Sequence, residues 1–148
     1  MKRILLPSRK HQRGAAAVEF ALVAIVFFML LIGILEMGRV LFTWNATAEA
    51  TRYGARVAVV CGLNDAAILS RMQQIMPSLT AANVSVSYLP SGCSVANCQQ
   101  VSVSVQNIPV TTLIPVSAAT IMVPPFTTTL PRESMLNSID GHSNPVCT

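Results

Sequence analysis

Four cysteines, Cys61, Cys93, Cys98 and Cys147, carry most of the chemical potential of this chain. Thiolates in two close pairs would suit a zinc site, but these four are not so arranged, and neither His11 nor His142 falls near them in sequence. Nor do four residues between Cys93 and Cys98 make the Cys-x-x-Cys of a thioredoxin-type redox pair. In a domain expected outside the cytoplasmic membrane, an oxidising compartment, the four cysteines point to disulfides, with three pairings open. Pairing Cys93 with Cys98 closes a short ring and leaves Cys61 and Cys147 to each other or free. No catalytic constellation accompanies them: the acids are scattered, the two histidines lie near opposite ends, and there is no Gly-rich phosphate loop or Gly-x-Ser-x-Gly elbow. The expectation is a protein that is not an enzyme and has no cofactor, metal or small-molecule substrate. Asn45-Ala46-Thr47 and Asn83-Val84-Ser85 match the glycosylation sequon, a pattern short enough to recur by chance.

A more specific constellation is Arg13-Gly14-Ala15-Ala16-Ala17-Val18-Glu19-Phe20, where a basic segment stops at a glycine and one carboxylate stands at the mouth of an apolar run. Ala15 to Leu35 contains a single charge, Glu19. At about 1.5 Å per residue this makes a helix about 30 Å long, the thickness of a bilayer's hydrocarbon core. A buried helix of a soluble protein would show one apolar stripe and one polar face, whereas Phe20 to Leu35 is apolar all round. A secretory signal peptide would carry its small-residue cleavage site after the apolar run. Here the run ends in Glu36-Met37-Gly38-Arg39, and the small residue, Gly14, precedes it. Processing at Gly14 would remove a leader and keep an anchor.

The chain has 148 residues, 52 % hydrophobic and 11 % charged, which fits one anchor and one small domain better than a soluble enzyme. A sequence pI of about 9.2 invites a nucleic-acid reading, but Lys2, Arg3, Arg9, Lys10 and Arg13 all precede Gly14. The remainder has five arginines against six acids. No cationic face is left for nucleic acid. The basic leader instead sets orientation, since Lys and Arg next to a span stay in the cytoplasm, and the residues after Leu35 are expected outside.

Gly14, four further residues and Glu19-Phe20 resemble the processing site of type IV pilins and pseudopilins. The wider stretch from Gly14 through Glu36, followed by Ala50-Thr51-Arg52-Tyr53-Gly54-Ala55-Arg56, is similar to the TadE-like family of minor pseudopilins of the tight-adherence system. The resemblance implies that a prepilin peptidase cuts between Gly14 and Ala15 on the cytoplasmic side, that the new Ala15 amine is methylated, and that Glu19 and Phe20 serve assembly. It also implies sibling pseudopilins, the major pilin and an inner-membrane assembly platform as partners.

The organisation expected is a cleaved basic leader (1–14), a transmembrane helix (15–35), its extracytoplasmic continuation (36–60), a small α+β head (61–136) and a mobile tail (137–148). Residues 1–13 read as disordered. Ala46, Ala50, Gly54 and Ala58 fall at a spacing of four, a row of small residues that lets a partner approach closely. Another helix or the protein's own head would suit it equally. Trp44 suits either the outer headgroup level or the core of the head. Glu36 with Arg39, and Glu49 with Arg52, can meet on the helix surface.

Gly62 is expected to stop the long helix in a left-handed conformation. Asn64 or Asp65 then caps a second helix from about Ala66 to Met76, ended by Pro77. Val84, Val86 and Tyr88, and Val101, Val103 and Val105, alternate with serine and predict two strands of a hairpin. Ile121 to Leu130 reads as an edge strand because of Pro124 and Pro125, and Val110 to Ala119 as an apolar connecting loop. The fold class expected is α+β, a long N-terminal transmembrane helix running into a head with a short helix and an antiparallel sheet.

Two functions from different classes fit. The first is a prepilin-like minor pseudopilin, a membrane-anchored structural subunit for a tight-adherence pilus and surface attachment. The alternative is a single-pass anchored extracytoplasmic binding protein without prepilin processing.

Overall fold

A computed structural model describes residues 12–112 and 120–148. It divides into two units, Met1–Gly38 and Arg39–Thr148. Helix α1, Gln12–Val60, supplies the described part of the first and opens the second.

In the first unit nearly every side chain from Gly14 to Gly38 is exposed, Phe20 to 75 % and Leu35 to 66 %. Apolar groups surround the helix instead of forming the stripe that a protein core would require. Among the described residues this is the one helix long and apolar enough to cross a membrane. Gln12 and Arg13, expected to be disordered, already belong to α1. Only the single Gly14 separates them from the span, too small a penalty to end the helix, and both are good helix formers. Residues 1–11 of the expected leader lie outside the described residues.

The second unit is α+β. Its α1 residues bury Ala50, Ala55, Val57, Ala58 and Val59. Cys61 N–H still donates to Val57 O at 2.9 Å, after which the chain turns. The left-handed residue of that turn is Asn64, with φ 53°, and not Gly62. Gly62 is needed for room: a Cβ there would stand 3.1 Å from Asn137 Oδ1, which accepts the Gly62 N–H at 2.7 Å. Asp65 then caps α2, Ala66–Ile75, by accepting from Ala67 N–H at 2.8 Å. The apolar face of α2 buries Ala67, Ile68 and Met72, and Pro77 follows its end.

The period-two segments form β1, Val84–Leu89, and β2, Gln100–Val105, which pair antiparallel with Val84 opposite Val105 and Tyr88 opposite Val101. Val101, Val103 and Val105 are fully buried, while Ser85 and Ser87 on the other face are exposed. The loop between the strands is closed by a disulfide from Cys93 to Cys98.

The segment 121–130 is two strands, not one. Pro124 and Pro125 lack the N–H that a ladder needs and separate β4, Thr120–Val123, from β5, Phe126–Pro131. The second of these does lie at an edge, in a three-stranded sheet of order β1-β2-β5. The first pairs with β3, Ile108–Thr111, in a separate two-stranded sheet that sets Pro109 opposite Met122. Val110 and Thr111 are therefore strand, not connecting loop; residues 113–119 of the expected loop lie outside the described residues.

Residues 137–148, expected to be mobile, are fastened. They include a small hairpin, β6 (Ser138–Ile139) with β7 (His142–Ser143), and a second disulfide joins Cys147 to Cys61. Arg71 on α2 donates to the carbonyls of Pro145 at 2.9 Å and Thr148 at 3.0 Å. Asn144 is buried and bonds Leu136 O through its amide nitrogen and Val146 N–H through its amide oxygen.

Candidate functional site

The residues singled out for processing and assembly lie on the first turns of α1. Gly14, Ala15, Glu19 and Phe20 are all exposed, and a Cβ at Gly14 would meet nothing within 4 Å. Gly14 therefore answers no packing demand among the described residues. Glu19 lies four positions beyond Ala15, hence one turn later on the same face. Ala15 and Ala16, four and three positions before Glu19, leave that face with little side-chain bulk.

The second group of residues, in the other unit, is brought together with the protein's own head. Ala50 and Ala58 are fully buried, Gly54 is buried, and Ala46 is half-buried. Gly54 lies beneath Met72 of α2, so close that a Cβ would stand 2.7 Å from Met72 Cγ. Of the two partners the small row could serve, the head occupies it. Within Arg52-Tyr53-Gly54-Ala55-Arg56 the small residues face inward, while Arg52 and Arg56 face out. Arg52 meets Glu49 at 3.6 Å on an exposed surface, a pair of small energetic weight.

The buried polar groups on this part of α1 need no outside partner. Thr43, Thr47 and Thr51 donate their hydroxyls to the carbonyls of Arg39, Thr43 and Thr47 at 2.9, 2.7 and 2.7 Å. Trp44 packs edge to face on Phe126, with ring centroids 6.1 Å apart, and stays 43 % exposed, so it is no core residue.

Residues 14–56 match the family model of TadE-like protein. The segment is TadE-like. The match begins at Gly14 and runs through Glu19, the apolar run and Arg56, and it covers under a third of the chain. The match points to a structural, pilin-like protein associated with the Tad pilus. No curated protein and no solved structure matches the chain.

Beyond the TadE-like segment, the structure assembles polar contacts that sequence reasoning missed. Asn137 bridges the joint between the helices, accepting from Gly62 N–H and donating to Asp65. Tyr88 Oη accepts the Asn64 N–H at 2.7 Å. Burial pushes the Tyr88 hydroxyl up from its ordinary pKa of 10.0; the Asn64 hydrogen bond works against this, and the nearby Asp65 charge adds to it. Only Cys147 signalled in advance that the last residues had a partner.

Proposed function

We propose that this chain is a minor pseudopilin of a Tad pilus, anchored by the apolar part of α1 with its C-terminal unit outside the cytoplasmic membrane. A prepilin peptidase removes the leader after Gly14, and the Ala15 amine is methylated. The processed subunit joins sibling pseudopilins and the major pilin at the inner-membrane assembly platform, in support of surface attachment.

One observation carries this reading: the TadE-like match starts at Gly14, the residue before the proposed cut, and includes both Glu19 and the apolar run. In an uncleaved anchor Glu19 would only reach out to the cytoplasmic headgroups, and Gly14, five positions before it, would have no role. The physical role of the cut is to create an α-amine with a pKa of about 7.7–8.0, cationic near neutral pH. Glu19 then has a partner of opposite sign, on its own chain or on a neighbour. Pairing with a neighbour would relieve a carboxylate in apolar surroundings only when subunits stack, which sets their register.

Intact mass of the protein extracted from membranes of a strain with prepilin peptidase is expected to lack Met1–Gly14 and to carry one added methyl group. Gly14→Leu is expected to keep the whole leader. A wild-type mass that includes the leader would overturn the proposal.

A further inference from the structure

The outer edge of β1 has the chemistry of a strand without a neighbour. Gln106 N–H donates to Asn83 O at 2.9 Å, and Val84 lies opposite Val105. Antiparallel ladders alternate, so this phase turns the N–H and C=O groups of Ser85, Ser87 and Leu89 toward β2 and those of Val84, Val86 and Tyr88 away from it. Among the described residues nothing pairs with these outward groups.

Natural edges are usually blunted by charge, proline, a bulge or shortness. The six residues of β1, Val-Ser-Val-Ser-Tyr-Leu, include no charge and no proline. Pro90 stands just beyond the end of β1, whereas the opposite edge, β5, has Pro131 within the strand and Arg132 directly after it. A groove of about 260 Å³ lies against β1, lined by Ile68 and Leu69 of α2, Val84 and Val86 of β1, and the polar Asn64 and Asp65 at the helix joint.

The β1 sequence is also self-complementary. Antiparallel pairing with a second β1 about Val86 sets Val84 against Tyr88, Val86 against Val86, and Ser85 against Ser87. The residues with outward backbone groups become the hydrogen-bonded pairs. Apolar side chains meet on the face toward α2 and hydroxyls meet on the other, and Val beside Tyr is a favourable cross-strand pair. A slip of one residue would set serine against valine and lose that match.

We infer that the β1 edge is a docking surface for a second copy of this chain, related by a twofold axis at Val86 and joining two three-stranded sheets into one. This inference does not depend on the pilus reading.

The test uses full-length protein in its membranes, as two differently tagged copies carrying Ser85→Cys and Ser87→Cys, oxidised mildly. Opposed Cα atoms at such a position are about 4.5 Å apart, within disulfide reach, so the mixed dimer should exceed the Ser85→Cys homodimer at least about fivefold. Val86→Pro removes the central outward donor while sparing the bonds to β2, and should abolish the mixed dimer with Cys61–Cys147 and Cys93–Cys98 still formed. A second variant, Ser85→Lys with Ser87→Lys, sets like charges across the axis and should leave the detergent-extracted protein monomeric where the wild type is dimeric. Mixed dimer no more abundant than the homodimer, or a dimer that survives both edge variants, overturns the inference. So does association with a different chain only.

Discussion

Gly54 of α1 and Met72 of α2 stand so close that no side chain fits between them: a Cβ on Gly54 would lie 2.7 Å from Met72 Cγ and closer still to Sδ. Met72 is fully buried, so its thioether has little freedom to move aside. Overpacking of this kind costs about 1–3 kcal/mol. Alanine recovers about 1 kcal/mol through helix propensity, which makes Gly54→Ala a net loss of about 1 kcal/mol. Gly54→Val, larger and β-branched, should lose about 3 kcal/mol. In a Met72→Ala background the Gly54→Ala loss should vanish. Chemical unfolding of the four variants closes this cycle, and equal losses in both backgrounds would mean that the two residues are not coupled.

The two disulfides should differ in weight. Cys61–Cys147 spans 86 residues and Cys93–Cys98 spans 5. The chain-entropy model assigns such loops about 4.6 and about 2 kcal/mol. Cys147→Ser is therefore expected to lower the melting temperature well below that of Cys98→Ser. Hydrogen exchange should rise across 137–148 in the first variant and stay within the hairpin loop in the second.

Arg71 holds the same segment by a different means. It donates to carbonyls of Pro145, Val146 and Thr148. These contacts are exposed, so Arg71→Ala should cost about 1 kcal/mol. Hydrogen exchange should quicken at 144–148 while both disulfides remain. Unchanged exchange there would show that the disulfide alone holds the segment.

Tyr88 provides a pH dependence. Its pKa in the folded protein lies above the ordinary 10.0, so the neutral phenol is the form the fold favours. The associated stability is fully present below pH 10 and is lost as pH rises through the folded value. Unfolding midpoints should therefore fall on the alkaline side, and Tyr88→Phe should flatten that fall. Tyr88→Phe also leaves the Asn64 N–H without its acceptor, so at neutral pH it should be less stable than wild type by about 1 kcal/mol. An alkaline decline of equal slope in both proteins would assign it to other groups.

Glu19→Ala tests the proposed assembly role. The variant should be inserted and cut normally yet fail to cross-link to sibling subunits or support pili, while Glu36→Ala should have a milder effect. Wild-type pili with undiminished cross-links would leave the carboxylate with no assembly role.

Much of the fold was legible because its signals are periodic and local. The apolar run, the Asp65 cap and the alternating valines of β1 and β2 each follow from neighbours in sequence. The tail was legible only through Cys147, because what else holds it is long-range and polar: Asn137 at the helix joint, Asn144 among backbone groups, and Arg71 on carbonyls, which leave no residue-type signature. The short strand β3 was hidden by Pro109, acceptable there because it pairs with β4 alone. Of the site, Gly14 and Glu19 could be read as a motif at fixed spacing. The partner of the small row could not, since Ala50, Gly54 and Ala58 would look the same against either helix.

The threonine ladder on α1 bears on how that small row recognises what covers it. Each hydroxyl of Thr43, Thr47 and Thr51 is satisfied by the turn before it. This part of α1 therefore has few hydrogen bonds with which to tell one neighbour from another. Apart from the contact of the Thr47 hydroxyl with Met76 Sδ at 3.4 Å, discrimination falls to relief, above all the notch at Gly54 that admits Met72. Such a surface recognises contour far more than polarity, so a change of one methylene in α2 should disturb its fit more than the loss of a threonine hydroxyl.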